Sequence, residues 1–268
     1  MKKIVGLLVV LLAALNLYAQ KIPEGRKLPA LVMDFVTDPE AWSFCTPVEL
    51  DPANEAYVVK GYCIQKILAG YQKQEYTVSI SRTDNELNIS VSDMSSVACD
   101  KNGKVTGKRL ANPKSTMDKL SGLIKNDLAK RISTWSDDEY NERTAKTYTS
   151  PLYLEYLQKN KSISKLWLKK FAEENVNGKE AEFEVVLSSI DENDNKAKPE
   201  FAYKATSQFE LPVDVTDIAS VVRGGYTVFI LSNSETLAAS NNGAKYKVHG
   251  IVNYRNFSDT WLYTIEEK

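Results

Sequence analysis

Apolar residues recur every three to four positions through residues 115–134, and the positions between them are polar or charged. This period matches one face of an α-helix, so the pattern predicts an amphipathic helix. Ser115 and Asp118 supply a start signal, because a hydroxyl can accept a hydrogen bond from a free amide at a helix N-terminus and a carboxylate favours that end. The predicted apolar stripe consists of Met117, Leu120, Leu123, Ile124, Leu128 and Ile132.

Ahead of this helix, apolar and polar residues alternate strictly, which is typical of strands buried on one face. Two such runs, residues 76–82 and 87–93, are separated by four polar residues and predict a β-hairpin. A second hairpin is predicted at Asn102-Gly103, because this dipeptide favours a type I′ turn. We expect the helix at 115–134 to pack on the apolar face of the first hairpin.

The segment before these strands is less regular. Residues 20–52 contain five prolines, which fix backbone dihedrals and remove amide donors, so irregular surface chain is predicted there, with one short strand in the apolar run at 31–36. Residues 57–62 predict a strand, and residues 64–71 predict a short helix.

The predicted order over residues 57–132 is strand, helix, three strands and helix. This order resembles that of small secreted domains of unknown function, common in Bacteroides-type bacteria, whose curved sheet and packed helices give a TATA-binding-protein-like fold. The resemblance covers about a third of the chain and includes no diagnostic motif. It implies a helix-covered sheet and carries no catalytic residues with it.

Residues 135–177 change to a helical pattern. Three helices are predicted, with start signals at Asp137-Asp138, at Ser150-Pro151 and at Ser162 or Ser164. Their apolar and aromatic stripe admits two interpretations, namely packing between the two halves of the chain or a surface for a partner or a sugar. Packing is favoured, because helices usually bury their apolar side.

After Asn177-Gly178 the pattern returns to strands. Strands are predicted at residues 180–190, 201–211, 226–231, 246–254 and 261–265, with a short helix at 214–222. Five strands and one helix fit either an antiparallel sheet with a helix laid on it or a small Greek-key barrel of the oligonucleotide- and oligosaccharide-binding type. The open sheet is slightly favoured.

The fold class is therefore predicted to be α+β, with two antiparallel sheet-plus-helix units joined by a helical segment. The predicted domains are a signal peptide at 1–19, an N-terminal α+β domain at 20–134, a helical connector at 135–177 and a C-terminal β-rich domain at 178–268. Oligomeric state is left open.

The first residues are typical of a secretory signal peptide. Lys2 and Lys3 precede a 12-residue apolar run, and Ala19 ends a short segment suited to cleavage. The run is too short to anchor the chain, and no later run reaches the ~18 apolar residues that a membrane span needs. A buried N-terminal helix is the less favoured alternative. We expect a periplasmic or extracellular protein without a stable membrane span.

Charge and cysteine content limit the chemistry further. Without residues 1–19, 32 lysines and arginines face 35 acidic residues, a net charge of -3 with no basic cluster, so nucleic acid is not an expected partner. Cys45, Cys63 and Cys99 allow one disulfide and one spare thiol, or three reduced thiols, and the sequence does not select a pair. Their spacing matches no zinc site.

Three features invite a catalytic or ligand-binding interpretation, and each has a structural one that we favour. His249 is the only histidine and alternates onto the side of Lys247 in a predicted strand, without a nucleophile motif. The run 191–195 begins like a calcium loop but lacks its glycine and its final glutamate. Gly224-Gly225 lacks the rest of a phosphate-binding loop.

No catalytic, cofactor-binding or metal-binding residue is therefore assigned, no cofactor is predicted, and an enzyme is the less favoured class. The sequence favours an exported, non-catalytic envelope protein that binds an unknown protein or small ligand. The alternatives are an envelope hydrolase that uses paired carboxylates, which leave no short motif, and a carrier of an apolar ligand.

Overall fold

The computed structural model describes residues 26–37, 44–68, 70–111, 114–209, 226–257 and 260–268. The chain divides into two compact units, Met1–Thr144 and Ala145–Lys268. Each unit combines helices with one mostly antiparallel sheet, so the predicted α+β class is confirmed. The proposed signal peptide and the short helix predicted at 214–222 lie outside the described residues.

The first unit contains a five-stranded antiparallel meander in which each strand pairs with the next. Its strands are β1 (Phe44–Asp51), β2 (Ala56–Ile67), β3 (Gly70–Thr83), β4 (Glu86–Cys99) and β5 (Val105–Ala111). The hairpin predicted around residues 83–86 is confirmed, and its strands extend beyond the predicted bounds. A turn does lie at Asn102-Gly103, but it is not the predicted type I′ turn, because Gly103 has a positive φ of +83° and Asn102 does not.

One face of this meander forms the core of the unit. Tyr57 and Val59 of β2 stand opposite Ile80 and Val78 of β3, and all four side chains are buried. Further along, a Cβ atom at Gly61 would lie 2.5 Å from the ring of Tyr76, so only glycine lets this ring cover the strand.

The proline-rich N-terminal segment is more ordered than the sequence suggested. Helix α1 (Leu28–Thr37) replaces the strand predicted at 31–36, and its apolar residues are almost all buried. Pro29 lies in the first turn, where a missing amide costs nothing. Pro47 lies at a bulge in the edge strand β1, another position that tolerates proline.

Helix α2 (Lys114–Thr134) confirms the predicted amphipathic helix and packs against β4. It begins one residue before Ser115, so this serine lies within the first turn rather than capping it. Ile124 and Leu128 are fully buried, whereas Leu123 is 48% exposed and does not belong to the packing face. Asp34 of α1 links α1 to α2 through an ion pair with Arg131 at 2.7 Å.

Residues 64–71 do not form the predicted helix, because they belong to β2, the following turn and the start of β3. Among the described residues of 57–132 the order is therefore four strands and one helix, in place of the predicted strand, helix, three strands and helix. Cys63 and Cys99 are both free, and Cys99 is buried. Burial raises the pKa of both thiols above its usual range.

The three predicted helices after residue 135 are confirmed as α3 (Asp137–Tyr148), α4 (Pro151–Lys159) and α5 (Lys165–Asn175). The division between the two units falls within α3. The apolar stripe of α4 and α5 is mostly buried within the second unit, although Leu166 is 78% exposed. Trp167 stacks on Phe171 with ring centroids 5.1 Å apart.

The second unit closes its sheet into a five-stranded barrel, so the favoured open sheet is wrong and the barrel alternative is confirmed. The barrel strands are β6 (Glu180–Glu192), β7 (Tyr203–Phe209), β8 (Tyr226–Ser232), β9 (Lys245–Phe257) and β10 (Thr260–Glu267), with the short helix α6 (Glu235–Ala238) between β8 and β9. Strands β6, β7 and β8 form a meander, β10 pairs parallel to β8, and β9 closes the barrel between β10 and β6. This order is that of the oligonucleotide- and oligosaccharide-binding type of barrel.

Inward-facing apolar residues fill the barrel. The fully buried ones include Val185, Leu187, Ala205, Val228, Ile230, Val248, Val252 and Ile265. At Gly250, β9 and β10 approach so closely that a Cβ atom would lie 2.1 Å from the carbonyl oxygen of Glu266. Glycine is therefore required where the barrel bends.

Candidate binding cleft

The second unit contains a cleft of about 520 Å³ beside the hairpin that joins β9 to β10. Helix α5 forms one wall and this hairpin forms the other. The described residues that line it are Lys169, Glu173, Asn177, Tyr254, Arg255, Asn256 and Trp261. They combine two aromatic rings with amide and charged groups, a mixture typical of a site that orients a polar ligand.

Helix α5 presents its polar side to the cleft. Its N-terminus is fixed by Ser164, whose hydroxyl accepts a hydrogen bond from the amide of Trp167 at 3.1 Å. Lys169 and Glu173 are one turn apart on the exposed side of the helix, and their charged groups are 3.9 Å from each other. An exposed ion pair of this kind contributes little to stability, so both side chains remain able to contact a ligand.

The end of α5 is attached directly to the barrel. Asn177 follows the helix, and its side-chain oxygen accepts a hydrogen bond from the backbone amide of Tyr254 at 2.7 Å. Gly178, at φ +78°, turns the chain and donates its amide to the carbonyl of Val252 at 2.9 Å. These bonds hold the two walls of the cleft in one fixed arrangement.

Two stacked aromatic rings contribute the apolar surface of the cleft. The rings of Tyr254 and Trp261 are 4.8 Å apart between centroids and 19° from parallel. The register explains the contact, because Trp261 pairs with Asn256 and therefore lies diagonally across from Tyr254. Tyr254 is 4% exposed, whereas Trp261 is half-buried and presents part of its ring to the cleft.

The hydroxyl of Tyr254 attaches this aromatic stack to helix α4. It lies 3.4 Å from the carbonyl oxygen of Leu154 and 3.3 Å from the side-chain oxygen of Gln158, both on α4. Burial is the main cause that raises the pKa of Tyr254 far above its usual range. The ring therefore stays neutral and acts as a fixed support rather than as an acid or a base.

Arg255 and Asn256 are exposed and form the polar rim beside the stacked rings. Glu173 is the one carboxylate among the described residues of the lining. Hydrolysis of a glycosidic bond by paired carboxylates needs two such groups on opposite sides of the bond. The described lining is therefore suited to holding a ligand by stacking and hydrogen bonding.

His249 lies where its sequence pattern placed it, on the outer face of β9, and it takes no part in the cleft. Its side chain is 50% exposed, and its Nε2 atom is 3.7 Å from a carboxylate oxygen of Glu180. Neighbouring ion pairs join Lys247 to Glu182 at 2.7 Å and Lys245 to Glu184 at 2.8 Å along the same face. His249 thus belongs to a row of exposed charges between β6 and β9.

The run 191–195 ends β6 and begins the loop to β7, as its hairpin interpretation predicts. Asn193 organises this loop, because its amide group donates to the carbonyl oxygens of Lys198 at 2.8 Å and Phe201 at 2.9 Å. Asp194 forms an ion pair with Lys204 at 2.5 Å, which lowers the pKa of its carboxyl group. Gly224-Gly225 lies outside the described residues.

Within the described ranges, no cluster of three or more histidine, cysteine, aspartate or glutamate side chains is arranged to hold a metal ion. Of the helices in the same ranges, none has the length and apolar content needed to cross a membrane. Comparisons of the sequence with protein-family models and with curated proteins gave no match.

The sequence predicted the elements that carry the cleft but not the cleft itself. The strands at 246–254 and 261–265 were predicted, and so was the helix that ends near Asn177. The available signal was the pair Tyr254 and Trp261, whose separation along the chain allows diagonal contact across two paired strands. To recognise this contact from the sequence, one must know the register of β9 against β10, and alternation of apolar and polar residues alone does not provide that register.

Proposed function

We propose that this protein is an exported, non-catalytic protein of the cell envelope, and that it binds a carbohydrate ligand in the cleft beside β9 and β10. The observation that carries the proposal is the stack of Tyr254 and Trp261 at the cleft, surrounded by amide and charged groups. The C–H face of a sugar ring packs on a flat aromatic surface, while its hydroxyl groups exchange hydrogen bonds with amides, carboxylates and cations.

The same observations favour a carbohydrate-binding protein over a nucleic-acid-binding protein, an apolar-ligand carrier and a hydrolase. A nucleic acid would need clustered basic charge, whereas Lys169 and Arg255 are the only described cations of the lining and Lys169 is already beside Glu173. An apolar-ligand carrier would need an enclosed apolar cavity, whereas this cleft is open and has the exposed polar residues Arg255 and Asn256 at its rim. A hydrolase would need a second carboxylate beside Glu173.

The test is a glycan array that includes bacterial cell-wall fragments, followed by calorimetric titration of any glycan that binds. We expect Trp261→Ala to weaken binding by roughly tenfold or more, because it removes the stacking surface. Asn256→Ala should weaken it by about fivefold through the loss of one hydrogen bond.

Matched controls are Leu166→Ala, at an exposed position on α5 outside the lining, and Asn241→Ala, at an exposed asparagine outside it. Both variants should bind as the original protein does. No binding across the array, or binding that Trp261→Ala leaves unchanged, would refute the carbohydrate proposal.

A further inference from the structure

Two turns of the first unit lie at the same end of its sheet. The β2–β3 turn follows Ile67, which pairs with Gly70, and the β4–β5 turn follows Cys99, which pairs with Tyr71 of β3. The two turns also approach each other, since a Cβ atom at Gly103 would lie 2.9 Å from the Cδ1 atom of Ile64. We call this region, residues 64–68, 70–71 and 99–105, the turn end.

The turn end exposes aliphatic side chains at its tip. Leu68 is fully exposed, Ile67 is 43% exposed, and Val105 at the start of β5 is 47% exposed. Three of the six large hydrophobic side chains that are exposed in the described part of the protein lie within this region. Such clustering marks an interaction surface more often than scattered exposure does.

The same region carries a local excess of positive charge. Lys66, Lys101 and Lys104 are exposed, and no ion pair is observed for them among the described residues. The one acidic residue of the turn end is Asp100, and its carboxylate accepts hydrogen bonds from the backbone amides of Asn102 at 2.8 Å and Lys104 at 3.0 Å. Three lysines and one carboxylate leave this region with a net positive charge among the residues that the structure describes.

We propose that the turn end docks on an anionic lipid bilayer, with Leu68 and Ile67 inserted at the headgroup boundary and the lysines against the lipid phosphates. Aliphatic insertion combined with lysine–phosphate attraction is how peripheral proteins bind membranes. Leu68 and Ile67 are exposed at the β2–β3 turn, and a fluid bilayer accepts exposed aliphatic side chains without a matching pocket. This surface belongs to the first unit, so the proposal is independent of the cleft.

The net charge of the whole chain means that only a local basic region could attract it to an anionic bilayer. Without residues 1–19 the net charge is -3, so the protein as a whole is repelled by an anionic surface. Attraction must therefore come from a local patch whose charges lie within about one Debye length of the lipid, roughly 8 Å at physiological salt.

The experiment is co-sedimentation of the purified exported chain with vesicles. The chain must lack residues 1–19, because their apolar run would itself bind lipid. Vesicles of phosphatidylethanolamine with phosphatidylglycerol provide the anionic surface, and vesicles of phosphatidylcholine provide the neutral one. We expect binding to the anionic vesicles that weakens as salt is added, and little binding to the neutral ones.

Two variants and their controls locate the contact. Leu68→Asp should weaken binding by about tenfold or more, whereas Leu123→Asp changes an exposed leucine elsewhere in the unit and should have little effect. Changing Lys66, Lys101 and Lys104 to Gln together should weaken binding by about fivefold for each lysine. The matched control changes the exposed residues Lys60, Lys119 and Lys130 to Gln, which alters net charge equally.

Binding that is lost in the turn-end variants and kept in the controls supports the proposal. No binding to anionic vesicles at low salt overturns it. Equal losses in the control lysine variant also overturn it, because the attraction would then be spread over the protein. Binding that Leu68→Asp leaves unchanged overturns the insertion of the tip.

Discussion

Tyr246 shows how a single hydroxyl group connects three parts of the barrel. It donates a hydrogen bond to a carboxylate oxygen of Glu267 at 2.6 Å and lies 3.3 Å from the hydroxyl of Ser234, which caps α6. Ser232 at the end of β8 bonds to the other carboxylate oxygen. Burial, together with the hydrogen bond to Glu267, raises the pKa of Tyr246 to about 12.

This shift predicts a loss of stability in alkali. An unfolded tyrosine has a pKa of ~10, so between pH 10 and about 12 the unfolded chain releases a proton that the folded barrel retains, and unfolding becomes more favourable. The contribution of Tyr246 is fully present below pH 10 and is lost as the pH rises through about 12. Tyr246→Phe should therefore show a smaller alkaline loss.

Urea denaturation at pH 8 and at pH 11 measures this difference. At pH 8 the variant should be less stable by about 1 kcal/mol, because Glu267 loses a hydrogen-bond donor. Ser240→Ala is the control and should keep the original pH dependence, because the hydroxyl of this half-buried serine donates to the carbonyl oxygen of Thr236 in its own turn. An alkaline loss in Tyr246→Phe as large as that of the original protein would contradict the prediction.

For single residues, the sequence predicted the face of a strand on which a side chain lies better than it predicted which side chains contact each other. The exposed position of His249 followed from alternation along one strand, since successive side chains point to opposite faces. The contact between Tyr254 and Trp261 did not follow, because it depends on which residue of β9 faces which residue of β10. Hydrogen bonds such as that from Tyr246 to Glu267 depend in addition on how the barrel closes.

Within a single element, helix α2, two leucines five positions apart have opposite environments, and the effects of the same substitution at the two positions can be compared. Leu128 is fully buried against the sheet, and Leu123 is 48% exposed. We predict that Leu128→Asp costs roughly 4 kcal/mol or more, since it buries an unpaired charge, and that Leu123→Asp changes stability by about 0.5 kcal/mol or less.

Urea denaturation of the two variants measures both values under identical conditions. The substitution is the same at both positions, so helix propensity and added charge are matched. Equal destabilisation by the two variants would mean that α2 does not present the Leu128 side to the sheet.

Element prediction succeeded where the pattern was long and failed where it was short. Helix α2 and the β3–β4 hairpin extend over many residues, so their periods were unambiguous. Helix α1 is ten residues long and mostly apolar, with one proline, and the proline was taken as a breaker although its first-turn position permits a helix. Residues 64–71 are too few to distinguish a helix from two strands that meet at a turn.

At the scale of the whole molecule, export is the property with the clearest test. We predict that the protein isolated from the cell envelope begins at Gln20, because the lysines and the apolar run of residues 1–19 are typical of a signal for export and cleavage. Mass spectrometry of the purified product measures the N-terminus. Leu8→Arg, which interrupts the apolar run, should retain the chain inside the cell with residues 1–19 attached.

Leu68→Arg is the control for that variant, because it places the same charge outside the leader and should not affect export. A product from the envelope that still carries residues 1–19 would contradict the prediction.

The closure of the second sheet could not be predicted from alternation. An open antiparallel sheet and a barrel have the same inward and outward pattern along each strand. What distinguishes them here is the parallel pairing of β10 with β8, between residues about 35 positions apart. Such pairing is a long-range choice that no local pattern encodes.

That parallel pairing also sets the order of folding events when the chain is made. Strand β10 bonds to both β8 and β9, so the barrel lacks its closing strand until Thr260–Glu267 has emerged. If the chain is exported as we propose, its N-terminus can enter a secretion channel before the barrel is finished. Of the five barrel strands, the one that completes the barrel is the last to be synthesised, so the second unit acquires its full cooperative stability only after that strand has emerged.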